Sequence, residues 1–201
     1  MRRKTVMAGA LALVLLGCGD NTGPVGVPDA ELTIVRQDTL APPLLATQVS
    51  FWAKVGDGRE VHLNYQGAFP GDTGEEYLRF EVPGDGLYRR PDGTAFQPGD
   101  SILITVTVLD PARFHYQFEP SGLQFSADHP ARLKIKYFDC EKDFNEDGVE
   151  DAEDVRIEGL LDLWERTGPG APWFRLGTVQ FEELDELDAN IPSFTEHAVA
   201  W

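Results

Sequence analysis

The stretch DSILITVTVLDP, Asp100 to Pro111, puts Ile102, Ile104, Val106 and Val108 on one parity and Leu103, Thr105 and Thr107 on the other. Successive side chains of a strand point to opposite faces, so this spacing predicts a strand with one face on a core. The same period of two recurs on both sides of it. Val61, Leu63 and Tyr65 alternate with His62 and Asn64, and Leu78, Phe80 and Val82 alternate with Tyr77, Arg79 and Glu81. Further on, Phe114, Tyr116 and Phe118 alternate with His115 and Gln117, and Leu133, Ile135 and Tyr137 alternate with Arg132, Lys134 and Lys136. Strands with one apolar and one polar face belong to antiparallel sheets that share a core. Gly56-Asp57-Gly58, Pro83-Gly84-Asp85-Gly86, Pro91-Asp92-Gly93 and Pro98-Gly99-Asp100 supply turns between them. No long segment has helical periodicity. The expectation is an all-β chain, an antiparallel β-sandwich of about nine strands spanning residues 46–201.

Three stretches, EEYLRFEVPGDGL, DSILITVTVLDP and FEPSGLQFSADHPARLKIKYF, resemble the β-sandwich domain shared by zonula-occludens proteins and Unc-five netrin receptors, the ZU-type domain. LLDLWER and WFRLGTVQ, joined by TGPGAP, look like that family's next hairpin, and IPSFTEHAVAW resembles its closing strand, with His197 displaced from the usual order. The resemblance covers roughly residues 76–138 and 158–201. It implies a structural or interaction module and transfers no catalytic residue.

Between the two parts lies DFNEDGVEDAED, residues 143–154. It matches the twelve-residue EF-hand calcium loop at most ligand positions. Asp143, Asn145 and Asp147 stand at positions one, three and five, Gly148 at six, Val149 (through its carbonyl) at seven, Asp151 at nine and Asp154 at twelve. A glycine at six allows the positive φ of the sharp turn. Ca²⁺ takes six to eight oxygens and suits this set, whereas Mg²⁺ keeps more of its own water. Glu150 at position eight departs from the usual apolar residue, and an aspartate at twelve resembles the dockerin loop. A dockerin has two such repeats and this chain has one, so cohesin docking does not follow. The alternative is a solvated acidic loop. The expected role is structural, with the ion tying Tyr137–Asp139 to a strand beginning near Glu158.

The N-terminus has a basic start, Arg2-Arg3-Lys4, and an apolar run from Val6 to Leu16. The run is short for a span, which takes about 20 residues, and suits an export signal over residues 1–17. It ends in Leu15-Leu16-Gly17-Cys18, which resembles the lipobox of bacterial lipoproteins. That resemblance implies cleavage before Cys18, lipidation of Cys18 and anchorage in the cell envelope, with Gly19 pointing to the outer membrane. Several acyl chains on one residue anchor stably. Residues 18–45, poor in large apolar side chains near their start, read as the lipidated cysteine and a flexible tether.

The chain has 17 Lys and Arg against 34 Asp and Glu, a net charge of −17. Cleavage before Cys18 leaves 14 against 34, or −20. Such a surface repels nucleic acid and anionic lipid, so no nucleic-acid partner is expected. With Cys18 lipidated, Cys140 is the only thiol and no internal disulfide forms. Cys140 has no accompanying histidine motif and reads as a structural residue. His62 and His115 fall on polar strand faces and His129 precedes Pro130. No His-Glu-x-x-His, Gly-x-Ser-x-Gly or phosphate-cradling loop is present. Phe51, Trp52, Trp164, Trp173 and Trp201 could stack on sugars, with Trp164 and Trp173 as a possible ligand platform or as cross-strand packing. The expected function is a non-enzymatic, calcium-stabilised module contacting a protein or glycan partner. A carbohydrate-binding module is the alternative, with a hydrolase third.

Overall fold

The computed structural model describes residues 25–69 and 71–201. The expected signal and Cys18 lie outside the described residues. Nine of the described strands have five or more residues: β1 (Gln48–Lys54), β2 (Arg59–Gln66), β3 (Thr73–Val82), β5 (Ser101–Asp110), β6 (His115–Glu119), β8 (Ala131–Lys136), β9 (Asp162–Arg166), β12 (Glu186–Ile191) and β13 (Glu196–Ala200). Four pieces of two or three residues bring the described total to thirteen: β4 (Leu87–Arg89), β7 (Gln124–Phe125), β10 (Phe174–Arg175) and β11 (Val179–Phe181). They are too short to show a period of two. The expected hairpin strand WFRLGTVQ is divided between β10, which pairs with β9, and β11, which pairs with β12 in the other sheet. One short helix, α1 (Ala152–Glu158), precedes β9.

All pairings within the sheets are antiparallel. One sheet has the order β1-β5-β6-β13-β9-β10, a second β11-β12-β8-β3-β2, and β4 pairs with β7 alone. Rings from the two large sheets meet directly: Phe51 lies 6.3 Å from Phe80, Phe80 lies 5.2 Å from Phe118, and Tyr77 lies 6.0 Å from Tyr116. The inward residues named from the alternation, among them Leu63, Phe80, Ile104, Val106, Phe118, Leu133 and Ile135, are buried in this one core, with Ile102 packed against it only partly buried. Each contributes roughly 1.5–3 kcal/mol by leaving water.

Tyr77 is the exception to the alternation. It is expected on the polar face of β3 and is instead fully buried. Leu63 pairs with Leu78 and Asn64 with Glu76, so Tyr77 is an extra residue at a β-bulge and turns inward.

The described part of the expected tether does not hang free. Val27 and Trp173 exchange backbone hydrogen bonds of 2.8 Å, and Val35 donates to Val199 and accepts from Phe114. Val35 is buried in the main core, while Val27, Leu32 and Ile34 pack on Trp164, Trp173, Ala198 and Ala200. From residue 25 onward the segment is therefore a strap across the outer face of β9 and β13. Its few apolar residues find a matching surface that no local pattern announces.

Candidate metal centre

The acidic loop leaves the end of β8 and enters α1. Phe144, at its second position, is buried edge-on against Trp201 at 5.8 Å, and Ile157 of α1 enters the core. Both ends of the loop are thus held by apolar side chains. At the base, Lys142 Nζ donates to Glu158 Oε1 at 2.8 Å and to Asp185 Oδ1 at 3.0 Å.

Within the loop the carboxylates face the chain's own amides. Asp143 accepts from the backbone N–H of Asp147 at 3.1 Å and of Gly148 at 2.7 Å. Asn145 Oδ1 accepts from Asp147 N–H at 2.9 Å, and Asp147 Oδ1 from Val149 N–H at 2.9 Å. Gly148 has φ of +88°, as position six requires. Val149 and Glu150 are exposed.

Asp154 does something the spacing alone did not indicate. It is only 2% exposed, and its two oxygens accept from the N–H groups of Asn145 at 3.2 Å and Asp151 at 2.9 Å. These amides, that of Asp151 foremost, hold its carboxyl below the ordinary aspartate value. Asp151 is the N-cap of α1, accepting from Glu153 N–H at 2.8 Å, and with Asp154 forms a reciprocal capping box. The signal was in the sequence as Asp-x-x-Asp ahead of a short helical run. The strand after the loop begins at Asp162 rather than near Glu158, because the capped helix occupies 152–158.

The donor set is oxygen throughout, which suits a hard cation. Each carboxylate oxygen that accepts one N–H keeps a further lone pair. The loop's ion pairs, Arg36 with Glu146 and Arg156 with Glu153, leave Asp143, Asp147, Asp151 and Asp154 without a basic partner among the described residues. Asp143, Asn145 and Asp147 share one turn, while Asp154 is turned to the backbone. Among the described residues, no three His, Cys, Asp or Glu side chains converge as a metal-holding group.

The remaining candidates are dispersed. Trp164 and Trp173 do not form a surface platform: they are 7% and 1% exposed. Trp164 Nε1 donates to the Ala200 carbonyl at 3.0 Å, and Trp173 Nε1 to Asp29 of the strap at 2.6 Å. Arg166 stacks over Trp173 at 4.5 Å, bonds both oxygens of Asp29 and reaches Glu196. They pack rather than present a platform, as the cross-strand alternative expected, and the strap that covers them is an addition to it. His115, expected on an open polar face, is half-buried there and bonded to Glu196 at 2.6 Å. Trp52, by contrast, is 63% exposed. Cys140 is buried, and burial pushes its thiol up to about 12, so it carries little thiolate at neutral pH.

On the outer face of the five-stranded sheet a groove of about 390 Å³ lies among Arg79, Arg132, Lys134, Glu60, Glu81 and Asp188. Its cations are matched by acids, Arg79 by Glu76 and Lys134 by Glu186. No described helix is long and apolar enough to cross a membrane. Comparison with protein-family models, curated proteins and solved structures finds no match.

Proposed function

We propose that the chain is a non-enzymatic, exported and lipid-anchored β-sandwich module whose acidic loop takes Ca²⁺, and that it contacts a protein or glycan of the bacterial cell envelope. The observation that carries the calcium reading is the set of four aspartates in residues 143–154 that lack a basic partner among the described residues. Clustered carboxylates repel one another, and a divalent cation offsets that repulsion. Asp143, Asn145, Asp147, the Val149 carbonyl, Asp151 and Asp154 are the residues that would hold it. The ion supplies positive charge and cross-links; the chain supplies oxygens and an anchored base through Phe144 and Lys142. The LLGC motif at Cys18 supports anchorage in the outer membrane, and the net charge of −17 argues against nucleic acid.

Isothermal titration of metal-freed protein with CaCl₂ tests the loop. The expected result is one site of roughly 10⁻⁴–10⁻³ M, the range of extracellular calcium modules, lost in the double variant Asp143→Ala with Asp147→Ala. A titration with no saturable heat, or one unchanged in the double variant, removes the reading.

A further inference from the structure

We infer that the outer face of β1, β5 and β6 binds a neutral polysaccharide chain, with Trp52 as its stacking residue. This rests on the reading of the protein as an interaction module and names the class of partner. Trp164 and Trp173, expected as a ligand platform, lie buried under the strap, whereas Trp52 stands exposed on another face.

The β1–β5 register places Trp52 opposite Leu103, Ser50 opposite Thr105, and Gln48 opposite Thr107. All six alternate with core residues such as Phe51, Ile104 and Val106, so they share the outward face. β6 extends two of these rows, with Glu119 beside Thr105 and Gln117 beside Thr107. Trp52 is 63% exposed and Leu103 45% exposed. An exposed indole beside an exposed leucine is an apolar spot on an otherwise polar face.

On one side of that spot lies Lys54, exposed on the same face and opposite Ser101; on the other side the chemistry is mostly uncharged. Ser50 Oγ and Thr105 Oγ1 are 2.8 Å apart, and Gln48 Nε2 donates to Thr107 Oγ1 at 3.0 Å. These contacts hold the side chains in place and leave hydroxyl and amide groups free to bond outward. In a chain of net charge −17, Glu119 is the one charge in the three rows. With Lys54 as the one cation and Glu119 as the one anion, the face has no cluster of counter-charges for nucleic acid, anionic lipid or highly charged peptides. Two apolar side chains also fall short of the roughly 800 Å² per partner of a stable protein interface. A sugar ring presents an apolar C–H face to an indole and a rim of hydroxyls to Ser, Thr and Gln. From Gln48 to Trp52 the face runs about 14 Å, long enough for a chain of rings rather than a single one.

Native gel electrophoresis of the full chain through hydroxyethylcellulose, glucomannan, arabinoxylan, laminarin and, as an acidic polymer, polygalacturonate tests this. The expected result is slowed migration in at least one neutral gel, with Trp52→Ala weakening apparent binding about tenfold or more and Trp52→Phe recovering part of it. Trp52 is exposed, so circular dichroism should show the variants folded. The Asp143→Ala, Asp147→Ala double variant, run alongside, should migrate as the unaltered chain does, so failure of the calcium loop and failure of this face give different patterns. The inference is overturned by unslowed migration in every gel, by slowing in polygalacturonate alone, by slowing that Trp52→Ala leaves intact, or by slowing lost only in the loop variant. It is equally overturned if Trp52→Ala abolishes self-association while no polysaccharide slows the chain, since the face would then bind a second copy.

Discussion

His197 lies in β13 with no accessible surface, edge-on to Phe118 at 5.1 Å and 3.4 Å from the hydroxyl of Thr195. Its Nδ1 has no partner, and its nearest carboxylate is Glu165 at 4.0 Å. Burial lowers its pKa to about 3. The unfolded chain takes up this proton near the ordinary value of about 6.5, whereas the folded chain holds it off until about 3. Stability from this residue is therefore complete above about 6.5 and falls as the pH drops toward 3, by up to about 1.4 kcal/mol per pH unit. Urea midpoints between pH 7 and 4.5 should show that slope, and His197→Gln should flatten it relative to the unaltered chain. Equal slopes in the two proteins would contradict the account. The residue's position in the closing segment was legible; its burial was not, because that depends on the pairing of β13 between β6 and β9. Trp164 and Trp173 teach the same lesson: an aromatic residue in a strand reads equally as core or as platform until the covering segment is known.

At the scale of elements, alternation carried most of the information. The inward files of β2, β5, β6 and β8 were readable because each buries one face only, and a period of two survives that. Tyr77 escaped because a bulge shifts parity without leaving a mark in composition. The strap escaped because Val27, Leu32, Ile34 and Val35 are too few, in a Gly- and Pro-containing stretch, to declare an element. The acidic loop was legible as a twelve-residue register, but Asp151 and Asp154 also serve as the capping box of α1. That double duty gives a prediction in the absence of metal. Asp154→Ala should destabilise by about 1–2 kcal/mol in EDTA, the usual range for a lost cap. Asp147→Ala, on the exposed turn, should cost about 0.5 kcal/mol or less. Urea denaturation of both variants checks this, and equal losses would mean that Asp154 does not close the loop.

For the whole molecule, an excess of 17 negative charges opposes compaction, and the described residues contain one free, buried thiol and no disulfide to offset it. The shared core of the two sheets supplies the main stabilisation, and calcium at residues 143–154 is the proposed supplement. A ligand that binds the folded state alone at a hundred times its dissociation constant adds about 2.7 kcal/mol. For a domain of this size that corresponds to a rise in Tm of about 5–10 °C. The direct measurement is the melting temperature of metal-freed protein with CaCl₂, compared with NaCl at equal ionic strength and with MgCl₂. The account predicts a rise of that size with calcium, a smaller one with magnesium, and none in the Asp143→Ala, Asp147→Ala double variant. An unchanged Tm with calcium, or the same rise in the double variant, would contradict it.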